Sequence, residues 1–380
     1  MTVKHFFAGV LALGVFGCAS TSEPPQATSS NVAEALGPWS LGQNANALYA
    51  ASCPNRSIFI PPETIELSAK EVELFNLNRV EAEAIENLTG AKLDGVEFVA
   101  GYHLTSDDPR FGGLSGLASL ENGDLLSVSD TGAFVWIEMD EFTQTQPVGA
   151  KLSDLKNADG SPLTGKIAAD SEGVTLADGL AIVSFEREHR VAAFDLVTCG
   201  AAARAAPVYS LEKTRDGLDV LDDNAGMESI AITDTGRLIL GVEAEADDTV
   251  QISLAPADVL ADFSTRPKTQ KGFSLTGLDY LPKGPAGGEL FAVFRHFSPL
   301  TGPRAYVKKY SVYKSGDNFE LGEGKLLLSL RRPSAVDNFE GIAVRRTQDG
   351  VVRLYLVSDD NFSRNQRSLL FVFNVLQILN

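Results

Sequence analysis

Three glutamates recur at the start of short apolar stretches, and their spacing is the main indication of chemistry in this sequence. Glu172, Glu228 and Glu340 each open a run that reads as a β-strand, which a turn and a second strand follow. Acids also follow the second strands, among them Asp359 and Asp360. Carboxylates that meet in a partly dry site cannot all stay ionised and unpaired. Ca²⁺ or Mg²⁺ would relieve that repulsion, because both ions prefer oxygen ligands. We therefore expect these five acids to form a cation site.

Basic side chains lie at the same strand ends as the acids. Arg187 follows one second strand, and Arg295 follows another. Because a guanidinium pairs with carboxylate and phosphate through two parallel hydrogen bonds, these arginines are candidates for binding an anionic ester. Two plainer readings stay open. The arginines could form salt bridges with the neighbouring acids, and the glutamates could accept backbone N–H groups at the turns.

The strand–turn–strand pattern occurs five times along the chain. Its equivalent positions are 57, 56, 48 and 64 residues apart, and they are Ser115, Glu172, Glu228, Thr276 and Glu340. A period of this length, with hairpins and no strong helical pattern, is typical of a β-propeller. One blade alone would leave an apolar sheet face in water, so the blades must pack around an axis. We expect one all-β domain over 47–380, with five or six blades. A pair of sandwich sheets is the alternative, but it does not explain the repeat.

The two ends of this domain carry strands that suit ring closure. The stretch 96–102 reads as a strand, and 368–374 is almost wholly apolar. Pairing between them would remove the exposed strand edges that otherwise favour aggregation. We expect this pair to close a sixth blade.

Composition excludes several classes of function. The net charge of −18 argues against nucleic acid or an anionic membrane surface as a partner. The chain has three cysteines and four histidines, without ligand-like spacing, so a zinc site is not expected. Residues 113–117 lack the second glycine of a nucleophile elbow, and neither a Walker A motif nor H-E-x-x-H occurs. Water is therefore the expected attacking group in any hydrolysis.

The N-terminus reads as an export signal. An apolar run, too short for a lasting membrane span, ends at 15–18, which resembles the lipobox of bacterial lipoproteins. The resemblance implies a signal peptide over 1–17, lipidation of Cys18, and a cell-envelope protein on the outer membrane facing the periplasm. An ordinary secretory signal is the alternative. Residues 18–46 read as a flexible tether. In an oxidising compartment Cys53 and Cys199 could form a disulfide, but sequence alone does not bring them together.

Several motifs resemble the bacterial phytase-like family, often described by the esterase-like activity of phytase. They are 111–116 with 129–130, 170–173 with 185–187, 226–228, and 337–341 with 358–362. The resemblance runs from about residue 95 to 376 and implies an exported, propeller-type hydrolase of phosphoesters or related esters. Thr276 departs from the glutamate pattern, which argues against a symmetric ring of ligands.

The expected substrate is a small anionic ester, with Ca²⁺ at the acids and Arg187 and Arg295 on the anionic group. A lactonase-type propeller enzyme is one alternative. A non-enzymatic binding or scaffold propeller of the cell envelope is another. The sequence indicates neither the exact substrate nor the oligomeric state.

Overall fold

Most of the domain is described by the computed structural model. It covers residues 40–54, 58–75, 89–210, 214–215, 218–219, 226–246, 249–254, 267–284, 287–315 and 318–376. Strands make up 56% of this part of the chain and helices 8%, so the predicted all-β class is confirmed. The signal peptide, Cys18 and most of the tether lie outside the described residues. None of the helices in the described ranges is long and apolar enough to cross a membrane.

The helices and strands have the following bounds. The helices are α1 Leu41–Ser52, α2 Lys166–Ala169 and α3 Leu196–Cys199. Four strands precede the first repeat: β1 Glu63–Ile65, β2 Ser68–Glu71, β3 Ala91–Leu93 and β4 Val96–Thr105. The first two repeats contain β5 Leu114–Ser119, β6 Leu125–Ser129, β7 Ala133–Met139, β8 Pro147–Asp154, β9 Ser171–Ala177, β10 Leu180–Phe185, β11 Arg190–Asp195 and β12 Ala206–Ser210. A small hairpin, β13 Thr214–Arg215 and β14 Leu218–Asp219, precedes the third, which contains β15 Ser229–Ile232, β16 Leu238–Ala246 and β17 Thr249–Leu254. The last two contain β18 Ser274–Pro282, β19 Gly287–Ser298, β20 Gly302–Ser315, β21 Asn318–Leu321, β22 Lys325–Arg331, β23 Asn338–Arg346, β24 Val352–Asp359 and β25 Ser368–Val375.

Each repeat builds one antiparallel sheet, and we number the sheets blade 1 to blade 5 in chain order. Blade 1 has the strand order β5-β6-β7-β8-β1, and blade 2 has β9-β10-β11-β12. Blade 3 has β15-β16-β17, and blade 4 has β18-β19-β20-β22-β3, with β21 also paired to β20. Blade 5 has β23-β24-β25-β4-β2. The strands that precede the first repeat therefore complete three different blades.

The blades are arranged around one axis. The first strand of each blade contacts the first strand of the next, from β5 through β9, β15 and β18 to β23, and β23 returns to β5. Five apolar clusters lie between neighbouring sheets; Phe134 with Phe194, for example, lies between blades 1 and 2. Both faces of each sheet are thus covered, which explains why the inner strands are largely buried. The predicted propeller is confirmed.

The number of full blades differs from the prediction. Four blades have four or more strands, rather than the five or six blades expected. Blade 3, with three strands in the described ranges, occupies the remaining position in the ring.

Ring closure occurs in blade 5. The predicted pairing of the two chain ends is present as β4 with β25, where Val372 faces Ala100. However, β25 also pairs with β24, so both strands join blade 5 and the predicted sixth blade is wrong. The fifth repeat has only three strands of its own, and the N-terminal strands supply its outer edge.

An N-terminal helix lies against the blade 2 and blade 3 core. Residues 41–46, which the sequence assigned to the end of the tether, form the first turns of α1. Leu41 and Leu48 are one heptad apart and are buried on the same side of the helix. The helix ends next to Cys53, which forms a disulfide with Cys199 across a Cα–Cα distance of 5.8 Å. The disulfide attaches α1 to the outer part of blade 2.

Candidate functional site

A β-bulge at the start of the inner strands positions the predicted acids. In four blades one residue of the inner strand is left unpaired where the register shifts, and these residues are Ser115, Glu172, Thr276 and Glu340. In blade 3 Glu228 directly precedes the first paired residue of β15. The five positions assigned as equivalent from the sequence therefore share one structural role. A bulge re-aims a side chain and often lies next to an active site.

The glycines that follow the bulges keep the axis narrow. A Cβ added at Gly277 would lie 2.2 Å from the carbonyl oxygen of Glu340, and one at Gly341 would lie 2.9 Å from the Cβ of Leu117. The cavity among the inner strands has a volume of only about 10 Å³. The mouth at which the inner strands begin is therefore closed at its base. We call this mouth the acidic face.

Glu172 lies at the centre of the acidic face. Its side chain is only 8% exposed, and no residue in the described ranges donates a hydrogen bond or an ion pair to its carboxylate. Burial, and then the charges of its acidic neighbours, raise the pKa of Glu172 well above the ordinary value; these neighbours are Glu228, Glu340, Asp170 and Glu186. The structure thus brings the three predicted glutamates together and adds two further acids.

The two added acids, Asp170 and Glu186, form a compact group with Glu172. One oxygen each from Asp170, Glu172 and Glu186 lies within 4.8 Å of the others, and all three side chains are buried. Oxygens that share one Ca²⁺ ligand shell can be at most about 5 Å apart, because each Ca–O distance is about 2.4 Å. The spacing of this group therefore fits a calcium ion. An oxygen-only donor set fits Ca²⁺ or Mg²⁺ better than zinc.

Blade 5 contributes Glu340 and Asp359 to the acidic face. Glu340 Oε1 accepts a hydrogen bond from Asn338 Nδ2 at 2.8 Å and lies 3.2 Å from Arg295 Nε. Asp359 accepts the backbone N–H of Asn361 at 2.6 Å. Burial, and then the charge of Glu340, raise the pKa of Asp359 to about 8.

Asp360 has a different environment from the other predicted ligands. Its Oδ1 accepts the N–H groups of Gly113 and Phe362 at 2.9 and 3.0 Å, and its Oδ2 accepts the Ser368 hydroxyl at 3.0 Å. These bonds connect the loop after β24 to blade 1 and to β25. Its carboxylate therefore fixes the loop. Acceptance of backbone N–H groups is the structural role that the sequence left open for the glutamates.

Lys166, Arg187 and Arg295 offset part of the negative charge. Arg187 Nε lies 2.6 Å from Asp170 Oδ2, and Lys166 Nζ lies 2.7 Å from Asp170 Oδ1. Lys166 also lies 2.8 Å from Asp130 Oδ2, and Arg295 pairs with Glu340. Both predicted anion-binding arginines thus pair with acids, which is the salt-bridge reading left open by the sequence. The described part of the acidic face contains seven carboxylates, which are those of Asp130, Asp170, Glu172, Glu186, Glu228, Glu340 and Asp359.

A large cavity opens beside Glu340. Its volume is about 1380 Å³, and Arg295, Arg332 and Arg367 line it together with Asn338. Arg367 Nε lies 3.2 Å from Asp337 Oδ2. The cavity is large enough for a small organic ligand. Three carboxylates, those of Glu73, Asp337 and Glu340, line the same cavity, so its wall carries charges of both signs.

The opposite mouth, where the inner strands end, holds a smaller cavity of about 590 Å³. Asp279 lines it and accepts the N–H groups of Val344 and Tyr280 at 2.6 and 2.8 Å. Burial raises the pKa of this carboxyl to about 7. Because both oxygens of Asp279 accept backbone N–H groups, we assign it a structural role.

Sequence reasoning missed part of the site. Asp170 and Lys166 were not among the candidates, although Asp170 lies two residues before Glu172 in a quoted motif. Lys166 precedes the repeat, and its partner Asp130 belongs to another blade, so local spacing held no signal. Arg332 follows an outer strand, where a charged residue is ordinary.

A comparison with protein-family models identifies a family. A family model described as phytase-like, with esterase-like activity of phytase, matches residues 109–362. No functionally curated protein matches the sequence.

Several solved structures share a low similarity with the chain. The PQQ-bound aldose sugar dehydrogenase of Streptomyces coelicolor is 12% identical over 75% of this chain and 97% of that one, with a TM-score of 0.38. The glutaminyl cyclase of Myxococcus xanthus is 11% identical over 74% and 97%, with a TM-score of 0.37. An exo-β-1,3-galactanase of Phanerochaete chrysosporium is 12% identical over 74% and 64%, with a TM-score of 0.40. Such scores carry no conclusion about this chain's activity.

The family match spans the five equivalent positions from Ser115 to Glu340, together with the acids after β24. It covers well over half of the sequence, and it includes every residue of the acidic face named above. The chain therefore belongs to the phytase-like family, described by the esterase-like activity of phytase.

Proposed function

We propose that the protein is a cation-dependent hydrolase of phosphoesters or related anionic esters, which acts at the acidic face. The observation that carries this proposal is the environment of Glu172. Its carboxylate is buried among four other acids, and the described residues supply it with no donor. A purely structural carboxylate in such a place would be expected to have a hydrogen-bond partner.

The residues that would hold the cation are Glu172, Glu228 and Glu340, together with Asp170 and Glu186. Asp359 lies beside Glu340 and supports the same charge cluster. A cation bound there would supply Lewis-acid polarisation of an ester oxygen. The acids themselves hold the ion and set its position, and the narrow axis beneath them restricts the entry of water.

The cavity beside Glu340 would receive the substrate. Arg295 lies at the junction of the cavity and the acidic face, because it lines the cavity and pairs with Glu340. Arg332 makes no ion pair within the described part of the chain, so its guanidinium is available to an anionic group. We assign Arg187 to holding Asp170, because its Nε bonds that carboxylate.

The test is hydrolysis by purified protein that lacks residues 1–39. Aryl phosphate, phytate, aryl acetate and lactone substrates are compared with Ca²⁺, with Mg²⁺ and with chelator. We expect turnover of at least one anionic ester in the presence of a cation and its loss in chelator. Glu172→Gln should abolish that turnover. Glu188→Gln is the matched control, since Glu188 is exposed, pairs with Arg190, and lies in the turn after β10.

Other results of this experiment would favour one of the two alternative functions, a lactonase-type enzyme or a non-enzymatic propeller. Turnover of lactone alone would favour a lactonase-type enzyme. Binding of Ca²⁺ without turnover of any substrate would favour a non-enzymatic propeller that binds or organises envelope components. Absence of both cation binding and turnover would overturn the proposal.

We further propose that lipid on Cys18 anchors the protein in the cell envelope. The protein would be attached to the outer membrane and face the periplasm. The apolar run before Cys18 and the polar tether after it support this. Cys18→Ser should move the protein from the membrane fraction to the soluble fraction. A wild-type protein that is soluble and carries no lipid by mass spectrometry would rule the anchor out.

A further inference from the structure

Lys166 places its ammonium group between two acids at the edge of the acidic face, in the way that a metal ion would. It is the first residue of α2 and stands four residues before Asp170. Its Nζ lies 2.7 Å from Asp170 Oδ1 and 2.8 Å from Asp130 Oδ2, so one ammonium group bridges acids of blades 1 and 2. Asp170 is also one of the three acids whose spacing fits a calcium ion.

Both oxygens of Asp170 have a cationic partner. Arg187 Nε lies 2.6 Å from Oδ2, on the side opposite Lys166. A further ligand bond from Asp170 to a divalent ion would bring that ion close to two positive groups. Because such groups repel a divalent ion strongly at a few ångströms, one of them must move away.

Lys166 is better placed to leave than Arg187. The Lys166 side chain is 53% exposed, compared with 28% for Arg187. Gly165, which precedes Lys166, has open space where a Cβ would stand. A lysine ammonium is also strongly hydrated and has a flexible stem, so it exchanges readily into water.

We propose that Lys166 is a resident competitor that must release Asp170 before a divalent cation binds the acidic face, and that it thereby lowers the affinity of the site. This inference rests on the proposed function and concerns the regulation of the same site. Lys166 holds the acids together while the ion is absent and limits occupation to conditions in which the divalent ion is abundant.

The experiment is calorimetric titration of Ca²⁺ into wild type and Lys166→Met. The substitution keeps the length of the side chain and removes its charge. We expect the Kd for Ca²⁺ to fall by about tenfold or more, because a positive charge a few ångströms from the ion is removed. The gain should shrink at high KCl, since exposed charges are screened. Lys166→Gln is a second neutral variant, and Lys166→Arg should bind like wild type.

Lys151→Met is the matched control. Lys151 is half-exposed and pairs with Glu138 on the outer strands of blade 1, so its loss changes the net charge equally at a distance from the acidic face. Its Kd should stay within about twofold of wild type, because charges beyond a Debye length of about 8–10 Å are screened.

The results separate the two proposals. An unchanged or weaker Kd in folded Lys166→Met and Lys166→Gln overturns the competitor role, while wild-type binding and turnover keep the proposed function. Tighter binding without turnover of any substrate supports the competitor role and overturns the hydrolase. If neither wild type nor the neutral variants bind Ca²⁺ or Mg²⁺, both proposals fail.

Discussion

Glu172 and Glu340 occupy the same bulge position in two blades but have opposite surroundings. Glu172 has acidic neighbours and no donor among the described residues, whereas Glu340 accepts a hydrogen bond from Asn338 and pairs with Arg295. Without divalent cations, Glu172→Gln should leave the melting temperature unchanged or raise it, because repulsion is relieved. Glu340→Gln should cost about 1 to 3 kcal/mol, because charged hydrogen bonds are lost. Calorimetry in chelator measures both effects.

Added Ca²⁺ should place Glu172→Gln below wild type and widen the deficit of Glu340→Gln. A ligand that binds only the folded state raises its stability by mass action, so the wild-type melting temperature should rise with Ca²⁺. Both substitutions should weaken that rise. If wild type shows no response to Ca²⁺, the acids are structural and the cation site is wrong.

Asp359 predicts a pH dependence of stability. Its folded-state pKa of about 8 lies above the ordinary value, so the folded protein binds a proton that the unfolded chain lacks. Without cations, the unfolding free energy should therefore fall as the pH rises from about 4 to about 8. Asp359→Asn should flatten this fall and be more stable than wild type at pH 8 by up to about 3 kcal/mol. Urea titrations at pH 5, 6.5 and 8 measure it, and equal slopes in both proteins would contradict the assignment.

The inner strands depend on small residues after their bulges. A Cβ added at Gly277 would lie 2.2 Å from the Glu340 carbonyl oxygen, and backbone cannot move aside cheaply. Gly277→Ala should therefore cost about 1 to 3 kcal/mol or more. Gly42→Ala is the control, because Gly42 lies in α1 with nothing within 4 Å of an added Cβ. It should gain up to about 1 kcal/mol from helix propensity. Urea unfolding compares them, and matching losses would show that the axis is not tightly packed.

Local patterns predicted the elements that repeat and failed on those that do not. In each blade a small residue follows the equivalent position at the start of the inner strand, so Glu172, Glu228 and Glu340 could be aligned from sequence alone. The turn at Asp349 and Gly350 was also predictable, because Gly350 has a φ of 85° that glycine adopts without strain. By contrast, β1 and β3 have three residues each and no alternation, and only the blades they join make them strands. Helix α1 was missed because small and polar residues surround its two buried leucines.

The residues of the site were likewise predictable only where they belong to the repeat. Its glutamates follow from the repeat, whereas Lys166 and Arg332 lie outside it and reach the site through the tertiary fold. The number of full blades required knowledge of strand order. The apolar character of β25 shows that it is buried but does not show which sheet receives it.

At the scale of the whole molecule, stability should depend on the closing strand. β25 lies between β24 and β4, and Leu369, Phe371 and Phe373 are fully buried in it. Deletion of 368–380 should therefore abolish cooperative unfolding of the entire ring. Phe371→Ala should cost about 3 to 5 kcal/mol. Circular dichroism melting measures both changes.

An exposed aromatic residue provides the comparison. Phe142 is 92% exposed, so Phe142→Ala should stay within about 0.5 kcal/mol of wild type. A deletion protein that melts like the full-length chain would show that blade 5 is dispensable and that the ring does not close through β25.

Completion of blade 5 by strands from both ends also orders events in time. β4 spans Val96–Thr105 and β25 spans Ser368–Val375, so the ring cannot close until the chain has been made as far as β25. Contacts so distant in sequence form slowly, and the waiting chain has open strand edges. A chain that stops before β25 keeps those edges and is exposed to proteases and aggregation. The position of β25 thus means that the edges of blade 5 are protected only in a chain that already includes β25.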